Sequence, residues 1–542
     1  MALTAAGKPV WTRWPVDIQL FSIVRAVVER VGADLREPPG SIVAGGATLV
    51  FLHAGPLLLV VAARTGEAVV ALRQQLRALH DQLLFMLTDK IVERVSAAPS
   101  TDVRSFLGPT ADAAFHTIAA LGNRLPLFLD ALPVSTLPPA SRSRALAALV
   151  APPNRPAGLV YAILFAGYTI AAWAQRRGRA DLALQPRDAI LLAAAAQAPA
   201  ARSADAWLPT CLPQLRPSGF HHAYVAALWE TSKGRAVSPA ATATGAAAAG
   251  QLNDPTHRMS LDAFSDEEYS DGGETERPPS VAARRWRASP PMPPQGEQDG
   301  PHAAEVSGTS DTLGSLLPPP TLVQSGDDVG QLRAPSPQTG DVPHEGGRRL
   351  VDMAPPAIVL MLVTAESGDA VRAALSEYRY AVARELRRSG ALHAIARSLE
   401  VSGAVGVGDY DAVECFGVPG VLHCTYEWRP LRQFTSSALP PPLLATDWPH
   451  AARKALLRAY GHVHATLTQA TDGPPARHYS VAYPDASRSL GAIAGVLTTR
   501  TLVLALLDAT VGPDDVAPRM EALARAVRAQ NERLFVQTPA QL

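Results

Sequence analysis

The residue types that could carry covalent or metal chemistry are few, and their spacing does not serve it. Three cysteines, Cys211, Cys415 and Cys424, occur in 542 residues. They make neither a disulfide framework nor the CxxC spacing of a structural zinc. Cys415 and Cys424 fall on predicted strands with no adjacent base, where a thiol behaves as a small buried hydrophobe. His221 and His222 are neighbours on a predicted strand and point to opposite faces, while His462 and His464, on a helix, diverge by roughly 200°. Neither pair makes an easy metal site. Gly403, Gly406 and Gly408 lack the spacing and the strand-to-helix context of a dinucleotide loop and read as an inter-domain connection. No GxxxxGK[ST], GxSxG or HExxH occurs. The expectation is a protein without cofactor, metal or covalent chemistry of its own. Forty-nine basic and 49 acidic side chains balance, so bulk charge draws in no nucleic acid.

A chain without a reactive centre works through its surfaces, and those are set by its elements. Length as a prior gives about three or four domains. One theme recurs: two short apolar runs broken by Gly or a polar residue, then a helical period. In the first copy Thr48–Leu52 and Pro56–Ala62 flank His53, Ala54 and Gly55 and read as two strands and a tight turn. Val69, Leu72, Leu76, Leu79, Leu83 and Met86 then keep helical spacing, with Thr65 as candidate N-cap. The second copy runs from Leu159 to Ala174 around Gly167, with a helix opened by Pro186. Strands follow at Ala206–Leu212, His221–Leu228 and Ala357–Val363, then a helix carrying Val371, Leu375, Tyr378, Val382 and Leu386. The third has strands near Val421–Tyr426, Tyr479–Tyr483 and Leu502–Leu507 and a closing helix with Val516, Met520, Leu523 and Val527 on its core face. Sheets covered on one face by long helices, three times over, give an α+β architecture. Val43–Ala63 and Gly158–Ala174 are apolar enough to pass for membrane spans, but Gly-centred breaks and β-branched residues make them hairpins.

Between Ser232 and Pro355 the composition turns to Pro, Ser, Gly, Ala and acidic residues. Such a stretch cannot bury enough apolar surface to offset its ordering entropy, so a disordered insertion is expected. Ser265, in SDEEYSDGGETE, suits an acid-directed kinase; the Ser-Pro pairs at Ser238, Ser289 and Ser336 suit a proline-directed one. The resulting division is residues 1–125, residues 126–230 with 357–400, the insertion 232–355, and residues 401–542. The N-terminus shows neither a secretory apolar core nor Arg-rich transit character, which leads us to expect a reduced cytosolic setting.

The predicted helix Val16–Val31 does not fit a simple surface helix. Ile18, Leu20, Phe21, Ile23, Val24, Val27, Val28 and Val31 cover most of its circumference. A helix lying on one sheet and otherwise in water needs a single apolar stripe, so this one is expected to have a second partner.

AGKPVWTRW, SIVAGGATLVFLHAGPLLLVVAARTGEA, WLPTCLPQLRPSGFHHAYVAAL, FGVPGVLHCTYEWRPLRQFTSS and NERLFVQTP together resemble the Mon/SAND family of vacuolar fusion proteins, in the same order and over nearly all of the chain outside the insertion. The resemblance implies three longin domains, antiparallel sheets covered by helices, with the insertion in the second. It also implies a heterodimer with a Ccz-type longin partner that exchanges nucleotide on the late-endosomal and vacuolar Rab GTPase. Such a protein works in membrane trafficking, vacuole or lysosome fusion and autophagy, cytoplasmic and peripheral on the late-endosomal or vacuolar membrane through phosphoinositide or anionic lipid. Exchange needs no covalent step, only a surface that prefers the nucleotide-free GTPase. In the family the first longin domains pair to form the GTPase platform, which places the over-apolar helix at that interface. Val24 and Val28 are then expected to meet the partner, and Asp17, Gln19, Arg25 and Glu29 the GTPase or the partner's rim. Trp11, Arg13 and Trp14 stand where the family often carries Tyr-x-Arg-Tyr; both Trp are expected to pack and Arg13 to reach the surface. Two departures stand out: only Met1–Thr4 precede the matched segment, and the insertion is foreign to the family pattern. Arg176, Arg177 and Arg179 form the best small basic patch for a membrane. A non-catalytic longin adaptor or tether is the alternative function.

Overall fold

The computed structural model describes residues 1–14, 18–64, 66–123, 125–176, 182–203, 205–230, 235–236, 357–402, 416–437, 449–469, 477–482 and 491–542. Outside these lie Asp17, Thr65, Arg177, Arg179, Gly403, Gly406, Gly408, Cys415 and the four candidate phosphorylation serines. All that follows belongs to one unit, Met1–Ala263 with Arg349–Leu542.

Three sheets follow one another along the chain, and each carries helices on both faces where one face was expected. The first is built from β1 (Ala2–Thr4), β2 (Pro9–Trp11), β3 (Ser41–Ala44), β4 (Ala47–Ala54) and β5 (Leu57–Ala63), in the antiparallel order β2-β1-β5-β4-β3. The turn between β4 and β5 holds Gly55 at φ +57°, and a Cβ there would also lie 3.3 Å from Val92. Glycine accepts both conditions without strain. Helix α1 (Ile18–Leu35) covers one face of the sheet and α2 (Val69–Leu87) the other. Leu72, Leu76 and Leu83 of the expected stripe are buried. The N-cap position of α2 is Ala68, which offers no side-chain cap. The back of α2 is buried too: Ala78 and Phe85 join the core of the second module, so this helix is a wall shared by two sheets. After α2 come α3 (Lys90–Ala97) and α4 (Ala111–Leu121).

The second module begins with β6 (Leu132–Pro133) and α5 (Pro139–Val150) and continues with the hairpin β7 (Leu159–Ala166) and β8 (Thr169–Gln175), turned at Gly167 with φ +59°. Then follow α6 (Pro186–Gln197), α7 (Pro199–Ser203), β9 (Ala206–Leu212), β10 (Arg216–Glu230), β11 (Arg235–Ala236), β12 (Ala357–Thr364), α8 (Asp369–Arg388) and α9 (Ala391–Ser402). Every residue of β7 and β12 is buried, as in strands covered on both faces. Ile190, Leu191 and Leu192 of α6 pack on one face, and α5, α8 and α9 on the other. Both stretches that could pass for membrane spans are therefore hairpins, and among the described residues no helix is long and apolar enough to cross a membrane.

The third module contains β13 (Val421–Trp428), β14 (Gln433–Ser436), α10 (Pro449–Gln469), β15 (Arg477–Ala482), β16 (Ala492–Leu497), β17 (Thr501–Leu507), α11 (Pro513–Ala529) and α12 (Asn531–Leu534), and the chain ends with β18 (Ala540–Gln541). Helix α11 covers one face through Met520, Leu523 and Val527; α10 covers the other through Leu456, Tyr460 and Val463. Strands β14 and β16 were not anticipated. Two short strands cross the expected domain limits. β6 pairs in parallel with β14 of the third sheet, and β18 pairs in parallel with β8 of the second.

Candidate partner-docking surface

Helix α1 resolves its two apolar stripes by direction. Phe21, Val24 and Val28 are 3 %, 7 % and 8 % exposed and pack on Leu3, Phe51, Leu58 and Val60 of the module's own sheet. Leu20, Ile23 and Val27, at positions i, i+3 and i+7, are 39 %, 56 % and 42 % exposed. They form one outward stripe. The expectation that Val24 and Val28 meet a partner is corrected: their spacing puts them on the sheet side, and the free surface belongs to the stripe one step round the helix. Trp14, at 61 % exposure, stands just before α1, and Leu35 at its end is 58 % exposed. Half-burying three such aliphatic side chains under a second protein is worth about 1 kcal/mol each.

The sheet beside this helix has an open side. β3 pairs only with β4 among the described residues, and its Val43 is 75 % exposed. An edge strand with free backbone groups and an apolar side chain is a ready template for another strand. Strand β3 was not anticipated; the Gly45-Gly46 pair, both with positive φ, is the sequence feature that could have marked its turn.

Of the expected polar residues, Gln19 neighbours the stripe, while Arg25 and Glu29 lie on the other side of α1, toward Gly7 and the β4–β5 turn. Arg25 and Glu29 pair across one helical turn, Nε to Oε1 at 2.7 Å, and both border a cleft of about 460 Å³ between the second half of α1 and the β4–β5 turn. Gln19 is exposed. Arg13 is half-buried, its guanidinium 5.3 Å from the Trp14 ring centroid, and burial holds its pKa below the ordinary range. Trp11 packs as expected, stacked on Phe115 with centroids 5.2 Å apart and donating from Nε1 to Asp112 Oδ1 at 3.0 Å. Trp14 does not; it lies out in solvent.

Among the described residues the remaining candidates are buried or already partnered. Burial first, then Asp188, Asp89 and Asp81, push the Cys211 thiol up to about 12, far from a nucleophile's range. Cys424 is buried on β13. His222 stacks on Trp207 at 5.1 Å, His221 is buried, and burial lowers both rings' pKa. Burial brings His464 down to about 4, while His462 meets the Gly66 carbonyl of the first module. What the first module offers is an exposed apolar stripe on α1 and an open edge at β3.

Residues 1–114 match the family described as the first longin domain of FUZ, MON1 and HPS1, and residues 157–238 match its second longin domain. Over these modules the chain is similar to the Mon/SAND family. It is 34% identical over 238 residues to vacuolar fusion protein MON1 homolog B of Homo sapiens, covering 42% of each chain. It is 30% identical over 231 residues to MON1 homolog A of Bos taurus, covering 42% of this chain and 40% of the relative. With vacuolar fusion protein MON1 of Cryptococcus neoformans it shares 30% identity over 235 residues, 42% of this chain and 37% of that one. The chain thus spans about two fifths of the length of the curated relatives it matches, 37% to 42% in these three. The α1 stripe and the β3 edge both lie within the first matched longin domain.

Proposed function

We propose that this chain is the Mon-type subunit of a heterodimeric guanine-nucleotide exchange factor, working with a Ccz-type longin partner on a late-endosomal or vacuolar Rab GTPase. In this reading the partner's first longin domain covers Leu20, Ile23 and Val27 and extends the sheet at β3. The observation that carries it is the outward stripe of α1, three aliphatic side chains left in water beside an open sheet edge in a longin domain of this family. The names of the relatives support a role in vacuolar fusion.

Exchange follows from differential binding. A joint surface that fits the nucleotide-free GTPase better than the loaded one stabilises the state in which a switch segment and Mg²⁺ are displaced, and the ratio of the two affinities sets the acceleration. Arg13 and Gln19 near the stripe, and Arg25 and Glu29 on the other side of α1 beside the β4–β5 turn, supply polar contacts to the GTPase or the partner. Asp17 is assigned with them from its place in sequence. The protein acts in the cytoplasm, peripheral on the late-endosomal, vacuolar or lysosomal membrane, in trafficking and autophagy.

The test is release of fluorescent GDP from the loaded Rab. The co-purified pair accelerates release by orders of magnitude, and the chain alone does little. A pair that forms but leaves release at its intrinsic rate overturns exchange and leaves the adaptor reading.

A further inference from the structure

A cleft of about 580 Å³ opens between the second and third modules, far in sequence from the docking stripe. Three arginines and a histidine line it: Arg144 from α5, His393 and Arg397 one turn apart on α9, and Arg533 from α12. Among the described residues no Asp or Glu lines it. Arg144 donates to Ser141 Oγ at 3.2 Å and Arg533 to Gln530 Oε1 at 3.3 Å, both neutral acceptors. Among the described residues none of the three arginines pairs with a carboxylate. Elsewhere arginines do find acids: Arg187 with Asp81 at 2.6 Å, Arg379 with Asp205 at 2.7 Å and Arg432 with Asp130 at 3.1 Å.

The backbone adds to the same sign. Both α5 and α9 start at the cleft, Pro138 at the cap of α5 offers no side-chain acceptor, and Gly390 immediately precedes α9. Helix starts present the positive end of the dipole, although at α5 Pro139 has no N–H and the Ser141 amide bonds the Pro138 carbonyl at 2.9 Å. Behind this wall Arg142 is buried, donating to the carbonyls of Ser135, Ala171 and Arg533 at 2.6, 2.9 and 2.9 Å. A further cation is thus held in place without an acid. The opposite wall is hydroxyl-rich: Thr435 meets Thr136 at 3.2 Å across the modules, and Ser436 and Ser437 line the cleft beside it.

We propose that a multiply phosphorylated small polyol binds this cleft, its phosphates on Arg144, Arg397 and Arg533 and its hydroxyls on the Ser and Thr wall. Guanidinium forks match phosphate oxygens, and concentrated unneutralised charge is relieved by a compact polyanion. The volume suits one small ligand and excludes a polymer. Because the walls belong to different modules, the ligand braces α5 and α9 against β13 and β14. This inference is independent of exchange activity.

Calorimetric titration of the full chain with inositol hexakisphosphate at about 0.15 M salt tests it, with sulfate of equal ionic strength as control. We expect saturable 1:1 binding and a rise in melting temperature. The double variant Arg397→Glu, Arg533→Glu weakens binding by more than about tenfold, whereas Arg372→Glu, Arg384→Glu on the exposed face of α8, an equal change of charge, leaves it intact. Flotation on phosphatidylcholine vesicles with and without a phosphatidylinositol phosphate identifies the source. Loss of vesicle binding in the cleft variant assigns a lipid headgroup, and retention assigns a soluble polyol. No saturable titration, or equal loss in both double variants, overturns the proposal.

Discussion

Asp188 shows how one buried side chain ties pH to stability. Its carboxylate accepts the amides of Gln214 and Leu215 at 3.1 and 3.0 Å and so closes the β9–β10 turn onto α6. Burial, with a further push from Asp81, outweighs those bonds and raises its pKa to about 7. From the ordinary carboxylate value up to about pH 7 the folded chain holds a proton that the unfolded chain releases. Stability from this group therefore falls as pH rises through that window and is level above it. Asp188→Asn, which cannot ionise but keeps one acceptor, is expected to flatten the fall in urea midpoint between pH 5 and 7.5; an unchanged slope contradicts the assignment. The two stripes of α1 separate at the same scale. Val28→Asp buries a charge against the sheet and should cost about 3 kcal/mol or more. Ile23→Asp, on the water side, should leave the urea midpoint nearly unchanged while abolishing co-purification of the partner. Sequence periodicity showed that α1 was too apolar. It left open which stripe faced inward, because both have the same spacing and only the sheet's position distinguishes them.

At the scale of elements, legibility followed pattern length. The hairpins β4–β5 and β7–β8 were readable because long β-branched runs meet at a glycine that must take positive φ. Helices α2 and α8 were readable because their stripes persist over several turns. The exchanged strands β6 and β18 are two residues each, too short to carry any alternation. Their partners are set by the packing of modules. One side chain locks this exchange: Gln433 on β14 donates from Nε2 to the Val536 carbonyl at 2.9 Å and accepts from its amide at 3.0 Å. Gln433→Leu strips both buried backbone groups of their partner and is expected to cost about 2 kcal/mol, read as a lowered urea midpoint with the m-value kept. No change would mean that water replaces the side chain.

Across the whole molecule the three sheets share walls. Helix α2 serves two of them, and Lys454 of α10 reaches Glu67 of the first module at 3.2 Å. The α+β class was legible because apolar pattern and turn chemistry repeat three times along the sequence, and the longin modules because several segments resemble a known family. The basic cleft was not, since Arg144, Arg397 and Arg533 lie in separate stretches that only the fold assembles. The central claim is that the first module is completed by a second longin protein. Amide hydrogen exchange on the full chain, with and without the Ccz-type partner, tests it most directly. The account predicts that Ser41–Ala44 and the Leu20–Val27 segment slow by about tenfold or more when the partner is added, through new strand pairing and burial. Unchanged exchange at both, with protection appearing elsewhere, would contradict it.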